Sequence, residues 1–278
     1  MENTYAAAMT NNVTTCLEEL VDSFPQLDFV SYREKIGHAL SYKNDMTEEQ
    51  IGNLLVLSAL ERISVEEPNW TYAAARVYLG QLYRKAAISR GYEAKEKYGS
   101  LYELIRSLTD IGIYSENLLN EYTQNEIDSL QQIIVQERDH LFTYIGLVTL
   151  ADRYLAKSHS GDVYELPQER FLIIAMTLMM KESKEKRLEL IKEAYWALSN
   201  LYMTVATPTL ANAGKSYGQL SSCFIDTIDD SLRGIYDSNT DIATVSKNGG
   251  GIGAYLGKVR SRGSDIKGFK GVSSGVKE

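Results

Sequence analysis

Cys223 follows Ser221 and Ser222 in the run Gln219-Leu220-Ser221-Ser222-Cys223-Phe224-Ile225-Asp226. A lone strand cysteine is ordinarily an inert small hydrophobe. Two preceding hydroxyls make this one more polar, but no neighbouring His or second Cys is there to activate the thiol. Further on, Asn248-Gly249-Gly250-Gly251 offers backbone that a ligand can approach closely. Gly249-x-Gly251-x-x-Ala254 fits the relaxed dinucleotide fingerprint, yet that fingerprint must follow a strand and open a helix. Here the glycines follow a helix and precede a strand. The stretch Gly253 to Val259 lacks the Ser or Thr after Lys that a phosphate loop requires. Asp229-Asp230-Ser231 opens a helix, and N-capping with charge–dipole contact accounts for it. A free carboxylate there would equally suit the hydroxyls of a sugar. The chain has three histidines and two cysteines (Cys16 and Cys223), none at metal-ligand spacing, so no metal is expected.

These groups need elements to hold them. Gln219 to Asp226 reads as a strand, Asp229 to about Lys247 as a helix, and Ile252 to Val259 as a second strand. Asn248 and the glycines stop the helix, because both residue types accept its left-handed C-terminal conformation. Strand, helix, strand is a βαβ unit of an α/β domain. The chain before Ala206 is poor in Gly and reads as helices. Thr47-Glu48-Glu49-Gln50, Ser100 to Glu103 and Thr123 to Glu126 are capping-box signals. Leu141 to Lys157, Leu166 to Met180 and Lys184 to Val205 carry apolar residues at helical spacing. Glycines crowd in after Thr207, which marks a boundary between a helical and a ligand-handling region.

Composition narrows the function classes. Lys plus Arg is 29 and Asp plus Glu is 37, a net charge of −8 over 278 residues. That balance argues against nucleic acid as partner. No apolar run reaches the roughly 20 residues of a membrane span, and the start lacks a signal-peptide pattern. A reducing cytoplasm is the expected location.

In the second region the strings become those of a family. Ala206-Thr207-Pro208-Thr209-Leu210-Ala211-Asn212-Ala213-Gly214, then Gln219 to Phe224, Asp230-Ser231-Leu232, Ser246 to Gly253 and Val259 to Ser264 follow in order. Together they resemble the opening of the catalytic barrel in the class I ribonucleotide reductase large subunit. Pro68 to Arg76 and Glu137-Arg138-Asp139 resemble that family's helical N-terminal domain. The resemblance runs from about Met46 to Val276.

It implies an α+β chain: an N-terminal segment (1–45) too short for a full ATP cone, an all-α domain (46–205), and the first βαβ elements of a ten-stranded α/β barrel (206–278), truncated. It implies reduction of the ribose 2′ carbon by radical chemistry. Cys223 takes the place of one of two redox thiols. Thr207, Ser222 and the Gly251 backbone take the substrate phosphate positions. Asp230, Ser231, Arg260, Ile266 and Lys267 take those of a site for an allosteric deoxynucleoside triphosphate or ATP. Implied partners are the remaining C-terminal part of the subunit, a small subunit carrying the radical cofactor, a second copy docked through the helix after Asp230, and a thioredoxin- or glutaredoxin-like reductant. This chain is expected to bind no cofactor of its own. The partner thiol and radical cysteine would lie beyond Glu278, so the chain is expected to be an interrupted or split product, inactive alone. An adenosylcobalamin-dependent relative and a non-catalytic nucleotide-binding module are the alternatives.

Overall fold

The computed structural model describes residues 11–42, 46–266, 268 and 271–276, with side chains from Leu17 onward. The chain forms two compact units that divide between Thr204 and Val205.

The first unit is helical. Its helices are α1 (Asn11–Ser23), α2 (Phe29–Tyr42), α3 (Glu48–Leu60), α4 (Trp70–Arg90), α5 (Leu101–Asp110), α6 (Asn117–Glu121), α7 (Gln124–Gln131), α8 (Tyr144–Arg153), α9 (Pro167–Met179) and α10 (Lys184–Ser199). The Thr47 box is complete: its hydroxyl accepts from the Gln50 N–H, and the Gln50 amide oxygen accepts from the Thr47 N–H. Thr123 and Glu126 close a second box. At Ser100 only the hydroxyl half forms, accepting from the Glu103 N–H, because the Glu103 carboxylate pairs with Arg106 instead.

α1 and α2 share one apolar core with α3 and the start of α4. At its centre Trp70 is fully buried, with Phe29 and Tyr32 rings 5.2 Å and 5.0 Å away. The other half of the unit is held by buried charge. Glu165 accepts from the Ala156 N–H at 2.8 Å and from Tyr114, and pairs with Arg170 at 3.3 Å. Glu169 pairs with Arg90 at 2.8 Å. Removing one member of such a pair strands the other charge, at a cost of about 3–5 kcal/mol.

Two helices are shorter than the periodicity predicts. The one expected over 141–157 is α8, because residues 136–141 tighten into a 3-10 turn and Thr143 caps the helix after it. The one expected to run to Val205 stops at Ser199. Leu201 adopts φ +59° there. Its N–H donates to the Leu198 carbonyl, and Tyr202 N–H to the Ala197 carbonyl, which is a Schellman closure with leucine where glycine is usual.

The second unit contains α11 (Thr207–Asn212), β1 (Cys223–Thr227), α12 (Leu232–Lys247) and β2 (Gly251–Tyr255). The strands pair in parallel, with Cys223 opposite Gly251 and Thr227 opposite Tyr255. This is a helical unit followed by a short open βαβ sheet, the α+β order expected. Both strands begin and end differently from the sequence reading, for physical reasons. Gln219 and Leu220 are not in the ladder, because their carbonyls accept from Asn212 Nδ2 (3.0 Å) and Thr209 Oγ1 (2.8 Å). α11 is a helix that the periodicity does not predict; Pro208 in its first turn suits a helix start. β2 begins at Gly251, whose N–H donates to the Ser222 carbonyl at 2.7 Å. It ends at Tyr255, since Val259 N–H turns back to the Leu256 carbonyl.

Candidate functional site

The site residues fall in two groups, at opposite ends of the two strands. At the amino end stand Ser222, Cys223 and Gly251. Beyond the carboxyl end stand Asp230, Ser231, Arg260 and Ile266. Four strand steps at about 3.3 Å each put roughly 13 Å between the groups. Ligands in open parallel sheets collect at the carboxyl end, where the second group lies.

In the first group, the Ser222 hydroxyl lies 3.4 Å from the Cys223 sulfur, and Cys223 is exposed. The alternation of β1 turns Cys223, Ile225 and Thr227 to one face and Phe224 and Asp226 to the other. α12 covers the Phe224 face: a side chain at Gly250 would meet Val245 of α12 at 2.7 Å and the Phe224 ring at 2.8 Å. On the other face Cys223, Ile225 and Thr227 are exposed, Ile225 at 88%. Parallel sheets are ordinarily covered on both faces.

The three glycines do different things. Gly249 has φ +82°. Its N–H donates to the Ser246 carbonyl, and Gly250 N–H to the Val245 carbonyl, both at 3.0 Å. They close α12 as a Schellman motif, the helix stop read from the sequence. Gly250 has no room for a side chain. Gly251 has an ordinary strand conformation, and an added Cβ meets only the Ser222 carbonyl, at 3.4 Å. Nothing in the fold demands glycine at 251, so what it leaves open is the exposed face beside the Cys223 thiol.

Thr207 is exposed at the first residue of α11, and its hydroxyl has no hydrogen bond among the described residues. Thr209 and Asn212 of the same helix position the segment leading to Ser222. Sequence reading passes over these two; the signal available is a hydroxyl and an amide inside a helix next to the left-handed Gly214 and Gly218.

In the second group, Asp230 accepts from the Arg260 backbone N–H at 3.1 Å and from Nε at 2.8 Å. The backbone bond, then the side-chain bond and the guanidinium charge, hold this carboxyl below the usual carboxylate range, against a smaller opposing effect of burial. Arg260 also donates from Nη1 to the Asp265 carbonyl at 3.2 Å and from Nη2 to the Asp230 carbonyl at 3.5 Å. So Asp230 holds the fork in place, and two of its five N–H donors make no bond among the described residues. Ser231 is the N-cap of α12, accepting from the Gly234 N–H at 3.0 Å. Ile266 follows Asp265, whose bridge to Val272 closes the loop. Lys267 lies outside the described residues.

No group of His, Cys, Asp or Glu among the described residues could hold a metal ion, and no helix there is long and apolar enough to cross a membrane.

Residues 140–218 match the family described as ribonucleotide reductase, all-alpha domain, and residues 221–278 match ribonucleotide reductase, barrel domain. The chain is 39% identical over 96% of its length to the ribonucleoside-diphosphate reductase subunit alpha of Treponema pallidum. It is 35% identical over 95% of its length to that of Helicobacter pylori, and 35% identical over 81% to that of Enterobacteria phage T4. It spans about a third of the length of these relatives: 31%, 32% and 29%.

Proposed function

We propose that this chain, whose helical and barrel segments are those of the ribonucleotide reductase large-subunit family, serves as the N-terminal part of a ribonucleoside-diphosphate reductase. The reaction replaces the 2′ hydroxyl of a ribonucleotide by hydrogen. Its balance is one ribonucleotide and two thiols giving one deoxyribonucleotide, one water and one disulfide. Cys223 is one of the two thiols. The observation that carries this reading is the placing of an exposed Cys223 across the ladder from Gly251, inside the segment that matches the barrel domain.

Each remaining residue has a part. Thr207 and Ser222 supply hydroxyl donors for the substrate phosphates, and Gly251 leaves the space in which the nucleotide lies. Two N–H donors of Arg260 that make no bond among the described residues are a charge-assisted site for the phosphates of a deoxynucleoside triphosphate or ATP effector. Asp230 fixes the direction of the fork. Ile266 lines that loop, and Lys267 is assigned to it from the sequence alone. α12 presents Leu232 and Tyr236 outward, which supports a second copy docking on that helix.

The second thiol and the radical cysteine belong to a C-terminal part of the large subunit, and radical generation to a small subunit. A dithiol reductant of the thioredoxin or glutaredoxin kind restores Cys223 after each turnover, which fits a reducing, cytoplasmic setting. The test is turnover in the complete large subunit carrying Cys223→Ser, with small subunit and reductant supplied. Loss of multiple turnover is expected. Unchanged steady-state turnover would remove Cys223 from the redox pair.

A further inference from the structure

A cavity of about 460 Å³ opens in the helical unit between α1, α4, a 3-10 turn over Ala94–Glu96 and the 3-10 turn over Gln136–Leu141. Its charge is unusual for a chain of net charge −8. Four cations line it, Arg76, Arg84, Lys95 and Lys97, against two carboxylates, Glu19 and Asp22. Lys95 is engaged by Glu93. Arg76, Arg84 and Lys97 make no ion pair among the described residues.

Arg76 is the informative one. Three other arginines drawn into this unit have carboxylate partners, Arg90 with Glu169, Arg170 with Glu165 and Arg187 with Glu126, whereas Arg62 makes no ion pair among the described residues and lies over Tyr32 and Trp70. Arg76 likewise lies over an aromatic ring, Phe24 at 5.5 Å, and its buried Nε, like those of Arg62 and Arg187, has no hydrogen-bond partner among the described residues; unlike Arg62, it faces a cavity lined by further cations. The charge of Glu19, on the same cavity, does not offset the burial of Arg76, and an anion bound there would complete it.

Leu20, Leu79 and Tyr83 add apolar surface to the lining. Tyr83 is anchored behind the cavity, its hydroxyl donating to Asp139 at 2.6 Å. His140 reaches the same cavity. Burial, then the charges of Arg76 and Lys97, push its imidazole down to about 4. It is neutral at pH 7, able to donate one hydrogen bond without adding charge.

We infer that this cavity is a binding site for an organic phosphate, with Arg76, Arg84 and Lys97 meeting the phosphate and Leu20, Leu79 and Tyr83 meeting an apolar or aromatic body. The volume suits a small ligand. This site is separate from the thiol and effector groups of the second unit and does not depend on the function proposed for them.

The test uses the 278-residue chain and phenyl phosphate. The chain has only three histidines, so the His140 ring signals are identified by NMR with a His140→Gln control. Phenyl phosphate should move them saturably, and raising potassium chloride should weaken the binding. Arg84→Gln with Lys97→Gln, both at the rim, should weaken it at least ten-fold while circular dichroism stays unchanged. Phenol at the same concentration should leave the signals in place. His140 signals unmoved by millimolar phenyl phosphate would overturn the inference. So would equal affinity in the double variant, or inorganic phosphate binding as tightly as phenyl phosphate.

Discussion

Cys223 and Gly251 stand opposite each other across the parallel ladder, joined through the Gly251 N–H bond to the Ser222 carbonyl at 2.7 Å. The glycines before Gly251 are fixed by backbone and packing, while Gly251 is not. Substitution should therefore separate structure from function. Gly250→Ala should destabilise the chain by about 1–3 kcal/mol, the usual cost of overpacking, since Val245 and Phe224 occupy the space. Gly251→Ala should change stability by less than about 1 kcal/mol. In the complete large subunit it should raise KM for the nucleotide. Urea unfolding and steady-state kinetics on the two variants check this.

Asp230 owes its low pKa to Arg260, through the backbone N–H first and the guanidinium second. Arg260→Ala keeps the backbone bond and removes the rest. The carboxyl should then titrate closer to its ordinary range, though still below it, as read by NMR. Its folded pKa lies below the unfolded one, so its contribution to stability is present above the unfolded value and fades as pH falls through the folded value. Arg260→Ala should flatten that acid-side slope. It should also weaken effector binding in calorimetry; unchanged affinity would take Arg260 out of the effector site.

Legibility in the sequence differs from element to element. The capping boxes at Thr47 and Thr123 are visible because both partners sit three residues apart in the chain. The α12 stop at Asn248 and Gly249 is visible because glycine is the usual left-handed residue. The end of α10 is hidden for the opposite reason: Leu201 takes that conformation against its own preference, at roughly 1–2 kcal/mol. In the proposed site, Cys223, Asp230 and Arg260 are assigned through the resemblance of the strings that carry them. What they do not reveal is pairing between distant residues. That Arg260 closes on Asp230 is a contact across thirty positions of chain. The Arg76 cavity is assembled from four separate segments, and no string in the sequence brings their cations together.

Asp139 and His140, neighbours in sequence, should pull stability in opposite directions with pH. Asp139 is 1% exposed and accepts from Tyr83, Tyr98 and Gln168. Burial outweighs these bonds and raises its carboxyl to about 6. Between pH 4 and 6 the folded state then holds the extra proton, so this group's contribution falls as pH rises, by about 3 kcal/mol over roughly two units. His140 is lowered to about 4. There the unfolded state holds the extra proton between pH 4 and 6.5, so its contribution rises with pH. From pH 4 to 6 these two contributions should nearly cancel. Asp139→Asn should leave a rising slope and His140→Gln a falling one, measured by urea unfolding at half-unit steps. Parallel profiles for the two variants would show that neither group titrates as its surroundings dictate.

The thiols of the chain by itself should stay apart. Two cysteines are present, Cys16 and Cys223, and the proposed reaction pairs Cys223 with a thiol of the C-terminal part of the large subunit, not with Cys16. A disulfide needs Cα atoms within about 7 Å and Cβ atoms facing each other. The proposed reaction consumes two thiols for each 2′ hydroxyl removed, so Cys223 alone supplies half of the electrons. The 278-residue chain with small subunit, reductant and nucleotide should therefore give no turnover above background. After mild oxidation and unfolding it should retain two free thiols. Cys223, being exposed, should react with a thiol reagent in the folded state. Adding the rest of the large subunit should make one thiol redox-active, and Cys223→Ser should abolish that. An intramolecular Cys16–Cys223 bridge in the monomer would instead supply both electrons within this chain and overturn the need for a thiol from elsewhere.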